Sequence, residues 1–297
     1  MSFGVLTLST HNDFQKAIGL ALSLRVSNPG IPIAVACSPD VGRLLAPHFD
    51  HVVEENPSLR GFMHKLYLDR YSPFQETFFF DSDVLVFRPL REVLERWRSQ
   101  PYTACGNYIT GGISPFGLDR QRVLKIIKHA KLVHIDGAGH AYFRKPDCTT
   151  VFDLARNIAM NYGEYAGNIK FADEDVMDIV MTKLGLEPMP HVEFWSRYCT
   201  GERGSVEIDA AGARCKLKLA DNQEIQFPYM MHFAANEAPL TYTWQLRRLF
   251  KKFGVSTKGL LLTAMTDFYI RYIAWPIKWK LKSALNRASV SIPRRSS

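Results

Sequence analysis

Two carboxylates, Asp81 and Asp83, directly follow a run of three phenylalanines, and their spacing suits the binding of a divalent cation. The apolar runs 78–80 and 84–87 are rich in strand formers and too short for a helix. Side chains two residues apart in a strand share a face, so both acids can reach one ion if the backbone stays extended. Mg²⁺ and Mn²⁺ prefer such oxygen ligands. The alternative is a turn after the strand, because Asp-x-Asp also occurs without a metal.

The segments before these acids alternate between strand and helix. Apolar patterns predict strands over residues 4–9, 31–37, 51–54 and 78–80, and helices over 14–27, 41–46 and 63–70. This alternation predicts a mostly parallel sheet covered by helices on both faces, with ligands at the carboxyl ends of its strands. The loops after the first and fourth strands then share one rim, which favours the cation site over the turn.

Length and composition fit one α/β domain with an appendage. The chain has 297 residues, of which 46% are hydrophobic, and no low-complexity tract or repeat is visible. Its five cysteines include no C-x-x-C pair, so neither a zinc site nor a disulfide framework is expected. The amino terminus lacks the basic and apolar segments of a signal peptide.

The net charge of +8 is unevenly distributed. Residues 244–297 carry twelve Lys and Arg and one acid, whereas residues 1–243 carry 25 basic and 28 acidic residues. We therefore expect a folded body over 1–243 and a basic tail over 244–297. Because the body is not basic, nucleic acid is not an expected partner.

The tail has the pattern of a membrane-surface helix. Residues 244–253 predict a basic amphipathic helix, and residues 259–282 mix aromatic and aliphatic side chains with Lys and Arg. The apolar stretch 259–275 would be about 26 Å long as a helix and contains Asp267 and Arg271, so it is too short to span a membrane. Trp275 and Trp279 suit the headgroup region, which predicts binding to an anionic membrane surface. The alternative is a helical hairpin packed on the body.

Three segments, in this order, resemble GT-A glycosyltransferases and most closely the retaining enzymes of family 8. They are the strand ending in Asp81-Ser82-Asp83, the run Asp173-Glu174-Asp175, and Met231-His232-Phe233. The resemblance covers residues 3–240. It implies the GT-A fold, a Rossmann-like, mixed and mostly parallel α/β sheet flanked by helices, here with a basic amphipathic helical appendage at the carboxyl terminus.

The resemblance also implies an activity. Family 8 enzymes move a hexose from a nucleotide-sugar donor, usually a UDP-sugar, to a glycan or lipid-linked acceptor, with retention and with Mn²⁺ or Mg²⁺. Those that act in lipopolysaccharide biosynthesis often have basic, aromatic tails. We therefore expect a cytoplasmic protein that is peripheral on the inner membrane face.

The residues that the resemblance assigns to the donor site fall into two sets. Asp81, Asp83 and His232 would bind the metal, and imidazole among carboxylates is apt for Mn²⁺. Without the resemblance, His232 would be interpreted as a histidine of the core, and Lys65 as a solvated lysine on the surface. The residues expected to bind the nucleotide sugar are Ser9, Thr10, His11, Asp13, Lys65, Asp81, Ser82, Asp83, Gly137 and Gly139.

The expected catalytic residues are Glu174 and Asp173. Glu174 would lie beside the anomeric carbon as nucleophile or ion-pair stabiliser, and Asp173 would hydrogen-bond the donor sugar. Acids are also favoured at the positive amino end of any helix, which is the alternative explanation of this run.

The chain departs from the family at three places. The glycine and Lys-Pro-Trp that follow the ligand histidine are absent, because the chain continues Ala234-Ala235-Asn236. Gly137-Ala138-Gly139 stands where the family has Asn-x-Gly, and Asp173-Glu174-Asp175 where it has Asp-Gln-Asp. Either another basic group neutralises the diphosphate, or the donor or the family differs from the one that the resemblance implies.

Two other classes of protein stay open from the residues. A haloacid-dehalogenase-like phosphatase would use Asp81 as its nucleophile, although that family places this acid near the start of the domain. A noncatalytic membrane-surface adaptor would need neither the acids nor His232.

Overall fold

The fold is known from a computed structural model, which describes residues 2–136, 139–191, 194–195 and 197–277. The strands are β1 Phe3–Leu8, β2 Ile33–Cys37, β3 His51–Glu54, β4 Glu76–Phe80, β5 Val84–Val86, β6 Tyr102–Thr103, β7 Gly106–Ile109, β8 Leu132–Ile135, β9 His140–Arg144, β10 Phe194–Trp195, β11 Gly204–Asp209, β12 Arg214–Leu219, β13 Ile225–Gln226 and β14 Met230–His232.

Ten α-helices lie within these described ranges, together with short 3₁₀ turns and one π-helix. The α-helices are α1 Phe14–Ser27, α2 Pro39–Leu45, α3 Leu68–Tyr71, α4 Leu94–Trp97, α5 Arg120–Ile127, α6 Thr149–Met160, α7 Tyr162–Ala166, α8 Asp173–Leu184, α9 Pro239–Lys252 and α10 Leu260–Tyr269. The 3₁₀ helices are Gly61–Tyr67, Leu90–Glu92, Gly201–Arg203, Ala210–Gly212 and Ala234–Asn236, and the π-helix is Ile270–Ala274.

The central sheet has six strands in the order β3-β2-β1-β4-β9-β6. Strands β3, β2, β1 and β4 are parallel, and β9 runs antiparallel to both β4 and β6. The predicted mixed, mostly parallel α/β sheet is therefore confirmed. The helix predicted over 63–70 is instead a 3₁₀ helix, Gly61–Tyr67, followed by the short α3.

The phenylalanine run owes its uninterrupted apolar character to burial on both faces of the sheet. Phe78 and Phe80 pack in the core on one face, and Phe79 packs in the core on the other face. Strands buried on both sides read as continuous apolar runs. Strand β4 ends at Phe80, and the polar residue Asp81 follows at the point where the chain leaves the core.

Helix α9 belongs to the body. Its residues Tyr242, Leu246, Leu249 and Phe250 are buried in the same core as β1. A Cβ on Gly19 of α1 would lie 2.1 Å from Leu246 Cδ2, so the two helices pack very closely. The expected boundary between residues 243 and 244 falls inside α9, and the packed body extends at least through this helix.

Helix α10 follows α9 and packs against it. Among the described residues, no helix is both long and apolar enough to cross a membrane. All five cysteines are free and buried. Trp279 of the expected membrane contact lies outside the described residues.

Candidate active site

The acids after β4 occupy a tight turn. The Val84 N–H donates a hydrogen bond to the Asp81 carbonyl, at 3.1 Å, and β5 begins directly afterwards. The backbone across Asp81-Ser82-Asp83 is therefore not extended, so strand spacing is not what brings the two acids together. The turn still brings the two carboxylates together, since a ligand oxygen of each lies within 4.8 Å of the other and of a nitrogen of His232.

His232 is placed by strand pairing. Strand β14 runs antiparallel to β5, with His232 opposite Val84, and the Phe233 N–H donates to the Asp83 carbonyl at 3.1 Å. The imidazole Nε2 lies 2.9 Å from Asp83 Oδ1 and 3.8 Å from Asp81 Oδ2. His232 is only 5% exposed, yet it faces the two acids rather than apolar side chains alone.

This donor set fits a divalent cation. The two carboxylates and the imidazole surround one small space, and divalent cations such as Mg²⁺ and Mn²⁺ bind oxygen and nitrogen ligands of this kind. Burial alone would lower the pKa of His232, but the charge and hydrogen bond of Asp83 raise that pKa above its ordinary value. A bound cation would take over the role that the shared proton plays between His232 and Asp83.

Gly139 makes room for this histidine. A Cβ at Gly139 would lie 2.3 Å from His232 Cε1, closer than real side chains approach. The Gly139 carbonyl also accepts a 2.8 Å hydrogen bond from the Asp81 N–H. The glycine expected to approach a sugar is thus also required by the imidazole, while Gly137 lies outside the described residues.

Lys65 links the acid turn to helix α8. Its Nζ lies 2.9 Å from Asp81 Oδ2 and 3.5 Å from Asp173 Oδ2. Burial would lower the pKa of Lys65, but the charges of Asp81 and Asp173 raise it well above the usual value. The ammonium is therefore fixed between two carboxylates and is not a solvated surface group.

The first turn of α8 carries three buried acids with different surroundings. Asp173 and Glu174 line the same cavity as the metal candidates, whereas Asp175 accepts hydrogen bonds from Ser114 and Tyr162. Burial, and then the charge of Asp178, raises the pKa of Glu174 to about 8. Burial in the cavity therefore favours the protonated carboxyl of Glu174, whereas water would stabilise the carboxylate of an acid at an exposed helix end.

Sequence reasoning missed a histidine and an acid beside Glu174. His134 lines the cavity, and its Nδ1 lies 3.3 Å from Asp178 Oδ2, while the Asp178 Oδ1 accepts a 2.8 Å hydrogen bond from the Ile135 N–H. Arg120 Nη2 lies 3.1 Å from the same Nδ1. One signal was available, because Asp178 follows Glu174 by one helical turn within an otherwise apolar stretch.

The first loop meets the acid turn through Asp13. Its Oδ1 accepts hydrogen bonds from the Thr10 N–H at 2.6 Å and the Thr10 hydroxyl at 2.8 Å, with the Ser9 hydroxyl at 3.3 Å. Its Oδ2 accepts a 2.8 Å bond from the Ser82 hydroxyl. The loops after β1 and β4 therefore share a rim, as expected, and the Asp13 carboxylate does not cap α1.

Not every expected donor-site residue lines the cavity. His11 is exposed beside Phe14, with ring centroids 6.0 Å apart, and Ser9, Thr10 and Asp13 lie at the rim. The cavity itself has a volume of about 990 Å³, which is sufficient for a nucleotide sugar. The expected residues that line it are Lys65, Asp81, Asp83, Gly139, Asp173, Glu174 and His232.

The fold is similar to those of solved glycosyltransferases. The apo structure of the bifunctional glycosyltransferase WbbM matches with a TM-score of 0.52 and 14% identity, over 88% of this chain and 51% of that one. The galactosyltransferase LgtC, in complex with donor and acceptor sugar analogues, matches with a TM-score of 0.53 and 15% identity, over 84% of this chain and 95% of that one. An active-site mutant of LgtC matches with a TM-score of 0.50 and 13% identity, over the same shares of both chains, 84% and 95%.

These matches identify the fold as GT-A. This chain spans about half the length of the WbbM chain, 51%, and nearly all of the LgtC chain, 95%. No family model matches the sequence, and no curated protein matches it either. At such low identity the likeness extends to the fold, and the activity has to be argued from the site itself.

Proposed function

We propose that this protein is a metal-dependent glycosyltransferase that moves a hexose from a nucleotide-diphosphate sugar, in the first instance a UDP-sugar, to a glycan or lipid-linked acceptor. The observation that carries the proposal is the convergence of Asp81, Asp83 and His232 at the carboxyl edge of a GT-A sheet. Ligands of open α/β sheets bind at this edge. No observation favours the phosphatase or the noncatalytic adaptor.

Asp81, Asp83 and His232 would hold Mn²⁺ or Mg²⁺, which supplies Lewis-acid stabilisation of the departing diphosphate. Lys65 fixes Asp81 and Asp173 relative to each other, because its ammonium contacts both carboxylates. Asp173 lines the cavity together with Glu174, and in this proposal it would accept a hydrogen bond from a donor-sugar hydroxyl.

Glu174 is the candidate nucleophile or ion-pair stabiliser for a transfer with retention. Its buried carboxyl has a pKa raised to about 8, so it must lose its proton before it can act as an anion. Positive charge that develops at an anomeric carbon would favour that ionisation, because opposite charges stabilise each other strongly in a buried site. We propose His134 as the group that receives the proton, because it lines the same cavity as Glu174 and pairs with Asp178.

Ligand-dependent thermal stabilisation tests the donor class. UDP-sugars and GDP-sugars are screened with and without Mn²⁺, since a ligand that binds only the folded state raises the melting temperature. We expect Mn²⁺-dependent stabilisation by one of them, and its loss in Asp83→Ala. Absence of stabilisation by every nucleotide sugar would contradict the proposal.

Turnover of the two acid variants tests the catalytic assignment. Asp83→Ala should abolish transfer, and Glu174→Ala should strongly reduce kcat with the donor still bound. If Glu174→Ala transfers sugar at the wild-type rate, the nucleophile assignment is lost and the metal assignment stands. The anomeric configuration of the product, read by NMR, decides between retention and inversion.

We further propose that α10 attaches the protein to an anionic membrane surface. Helix α10 and the π-helix Ile270–Ala274 that continues it turn their polar side inward: Thr263, Asp267 and Arg271, spaced four residues apart, all bond to the body. Their partners are Gln15 at 2.7 Å, Lys16 at 2.8 Å and Glu237 at 3.4 Å.

The opposite face of α10 and of the turn after it exposes apolar side chains. They include Leu261, Leu262, Met265, Tyr269, Tyr272 and Trp275. An amphipathic helix of a globular protein normally buries this face, and a lipid interface would cover it here. Trp275 also lines the cavity, so the site would open beside the membrane, where a lipid-linked acceptor resides. By resemblance, we place this surface at the cytoplasmic side of the inner membrane.

Vesicle binding tests the attachment. Leu261→Gln/Leu262→Gln/Met265→Gln should lose affinity for phosphatidylglycerol vesicles without a change in melting temperature, because these side chains are exposed. Substitution is the better test, because deletion of residues 244–297 would also remove buried side chains of α9 and so could unfold the protein. The matched control is Ile225→Gln/Phe227→Gln, exposed apolar residues elsewhere. Wild-type vesicle affinity in the α10 variant would refute the attachment.

A further inference from the structure

The loop after β14 supplies no basic side chain that could neutralise a diphosphate in the cavity. That loop begins Phe233-Ala234 and ends at Asn236 and Glu237, with no basic residue between. The cavity is lined by the acids Asp81, Asp83, Asp136 and Asp173, besides Glu174, whose raised pKa favours the neutral carboxyl. A single divalent ion would leave a diphosphate facing net negative charge, so further cations are needed.

Two basic side chains next to this loop already have partners. Lys16 Nζ lies 2.8 Å from Asp267 Oδ2 and donates a 2.9 Å hydrogen bond to Asn236 Oδ1. Arg271 Nη2 lies 3.4 Å from Glu237 Oε1. These two groups hold α10 against the loop, and their charges are neutralised there.

A third segment packs on the same loop and brings an arginine. The Tyr198 N–H donates a 3.1 Å hydrogen bond to Glu237 Oε2, and the Tyr198 ring lies 5.5 Å from the Phe233 ring, centroid to centroid. Arg197 is the adjacent residue and lines the cavity. Strand pairing of Phe194–Trp195 with β14 fixes the start of this segment.

Arg203 approaches the same cavity from the 3₁₀ helix Gly201–Arg203. Its carbonyl lies 3.0 Å from the Cys199 Sγ, which ties the turn to the segment that carries Arg197. Within the described residues, neither guanidinium forms a side-chain hydrogen bond or an ion pair, and both residues are exposed at the cavity wall. Two arginines for which the described part of the chain offers no counterion, in a cavity otherwise rich in acids, are suited to an anionic ligand.

We propose that Arg197 and Arg203 bind the diphosphate of the donor, in place of the lysine that this chain lacks. The assignment rests on the proposed glycosyltransferase function. Guanidinium groups bind phosphate oxygens through two parallel hydrogen bonds, and one arginine on each segment can take one phosphate. Arg197 lines the same cavity as the metal candidates Asp81, Asp83 and His232, so its charge can act on a diphosphate bound there.

Calorimetric titration of the full-length protein with UDP, GDP and uridine, in the presence of Mn²⁺, tests the assignment. Arg197→Gln and Arg203→Gln should each weaken binding of the nucleoside diphosphate about tenfold, and the double variant more. Affinity for uridine, which has no phosphate, should not change. Arg197→Lys should lose part of the affinity for the nucleoside diphosphate, because lysine keeps the positive charge but cannot form the two parallel hydrogen bonds of a guanidinium group.

The control is Arg43→Gln, an exposed arginine on α2 whose ion-pair partner is Asp40. It should bind UDP as the wild type does. If the wild type binds UDP and the double variant binds it equally well, the arginine assignment is overturned and the proposed function stands. If the wild type binds neither nucleoside diphosphate, both are overturned.

Discussion

The imidazole Nε2 of His232 lies 2.9 Å from Asp83 Oδ1, because β14 pairs with β5 in a register that sets His232 opposite Val84. The two residues are far apart in the sequence, and a short three-stranded sheet, β10-β14-β5, joins them. The candidate metal site is therefore a product of strand register, and a slip of one residue would turn the imidazole away from the acids.

Asp83→Asn should weaken Mn²⁺ binding by more than about tenfold, because a neutral amide replaces a charged ligand. Calorimetric titration with MnCl₂ in the absence of nucleotide measures this directly. Asp221→Asn, an exposed acid in a turn, is the control and should bind Mn²⁺ as the wild type does. Equal affinities of the Asp83 variant and the wild type would remove the metal assignment.

Gly139→Ala should abolish Mn²⁺ binding with the ligands themselves intact. Its Cβ would lie 2.3 Å from His232 Cε1, so the imidazole has to move away from Asp83. Gly163→Ala is the matched control, since no atom lies within 4 Å of its Cβ and it sits in α7. The control should retain wild-type affinity. Undisturbed Mn²⁺ binding in Gly139→Ala would show that the imidazole does not contribute.

Glu174→Gln should be more stable than the wild type at pH 8 and as stable as the wild type near pH 4.5. The folded protein holds the Glu174 pKa at about 8, against an ordinary value of 4.5, so the fold favours the protonated carboxyl. As pH rises through this interval the unfolded chain ionises first, and wild-type stability falls. The neutral amide has no such loss. We expect the melting temperature of Glu174→Gln to exceed that of the wild type by about 2–4 °C at pH 8 and to equal it near pH 4.5.

The measurement is a series of thermal melts of wild type and Glu174→Gln between pH 4 and 9. Glu164→Gln, an exposed acid in α7, serves as the control and should show no pH-dependent difference from wild type. A Glu174 variant that follows the wild-type curve at every pH would mean that the carboxyl ionises normally.

Ser82→Ala should disconnect the first loop from the acid turn. The hydroxyl donates a 2.8 Å hydrogen bond to Asp13 Oδ2, and its loss should weaken UDP binding by about fivefold while Mn²⁺ binding stays the same. Calorimetry with each ligand separates the two effects. Ser58→Ala, an exposed serine that bonds locally to Asn56, is the control. A reduction in Mn²⁺ affinity equal to that for UDP would contradict this division of roles.

Asp267→Ala should release α10 from the body. Lys16 and Asp267 form a 2.8 Å ion pair with each side chain 9% exposed, so removal of one partner leaves a buried, unpaired ammonium. Such losses are about 3–5 kcal/mol. Limited proteolysis between α9 and α10 should accelerate in this variant, and the double variant Lys16→Met/Asp267→Leu should restore protection. Unchanged cleavage in Asp267→Ala would show that other contacts hold the helix.

Local sequence pattern determined much of the sheet. The run Phe78 to Phe80 is apolar on both faces, so it predicted a central strand, and the alternation of strands and helices predicted the parallel order around it. That order placed the loops of Asp13 and Asp81 on one rim, which the bond from Ser82 to Asp13 bears out. These features follow from burial and from chain connectivity alone.

Other features required the tertiary structure. The sequence left open whether the backbone at Asp81 to Asp83 is extended or a turn, and it is a turn because the following strand, β5, pairs with β14 and not with the central sheet. Lys65 could not be distinguished from a surface lysine, since its partners Asp81 and Asp173 come from other elements. The inward polar face of α10 was equally hidden, as its partners lie on α1 and on the loop after β14.

The sequence by itself determined which side chains could bind a cation and at which sheet edge they lie, since residue type and strand periodicity are local properties. Tertiary structure alone decided that His232 reaches Asp83, that burial raises the pKa of Glu174, and that Arg197 lines the cavity. Those outcomes depend on non-local pairing and on the exclusion of water from a cavity. Neither is encoded in the spacing of residues along the chain.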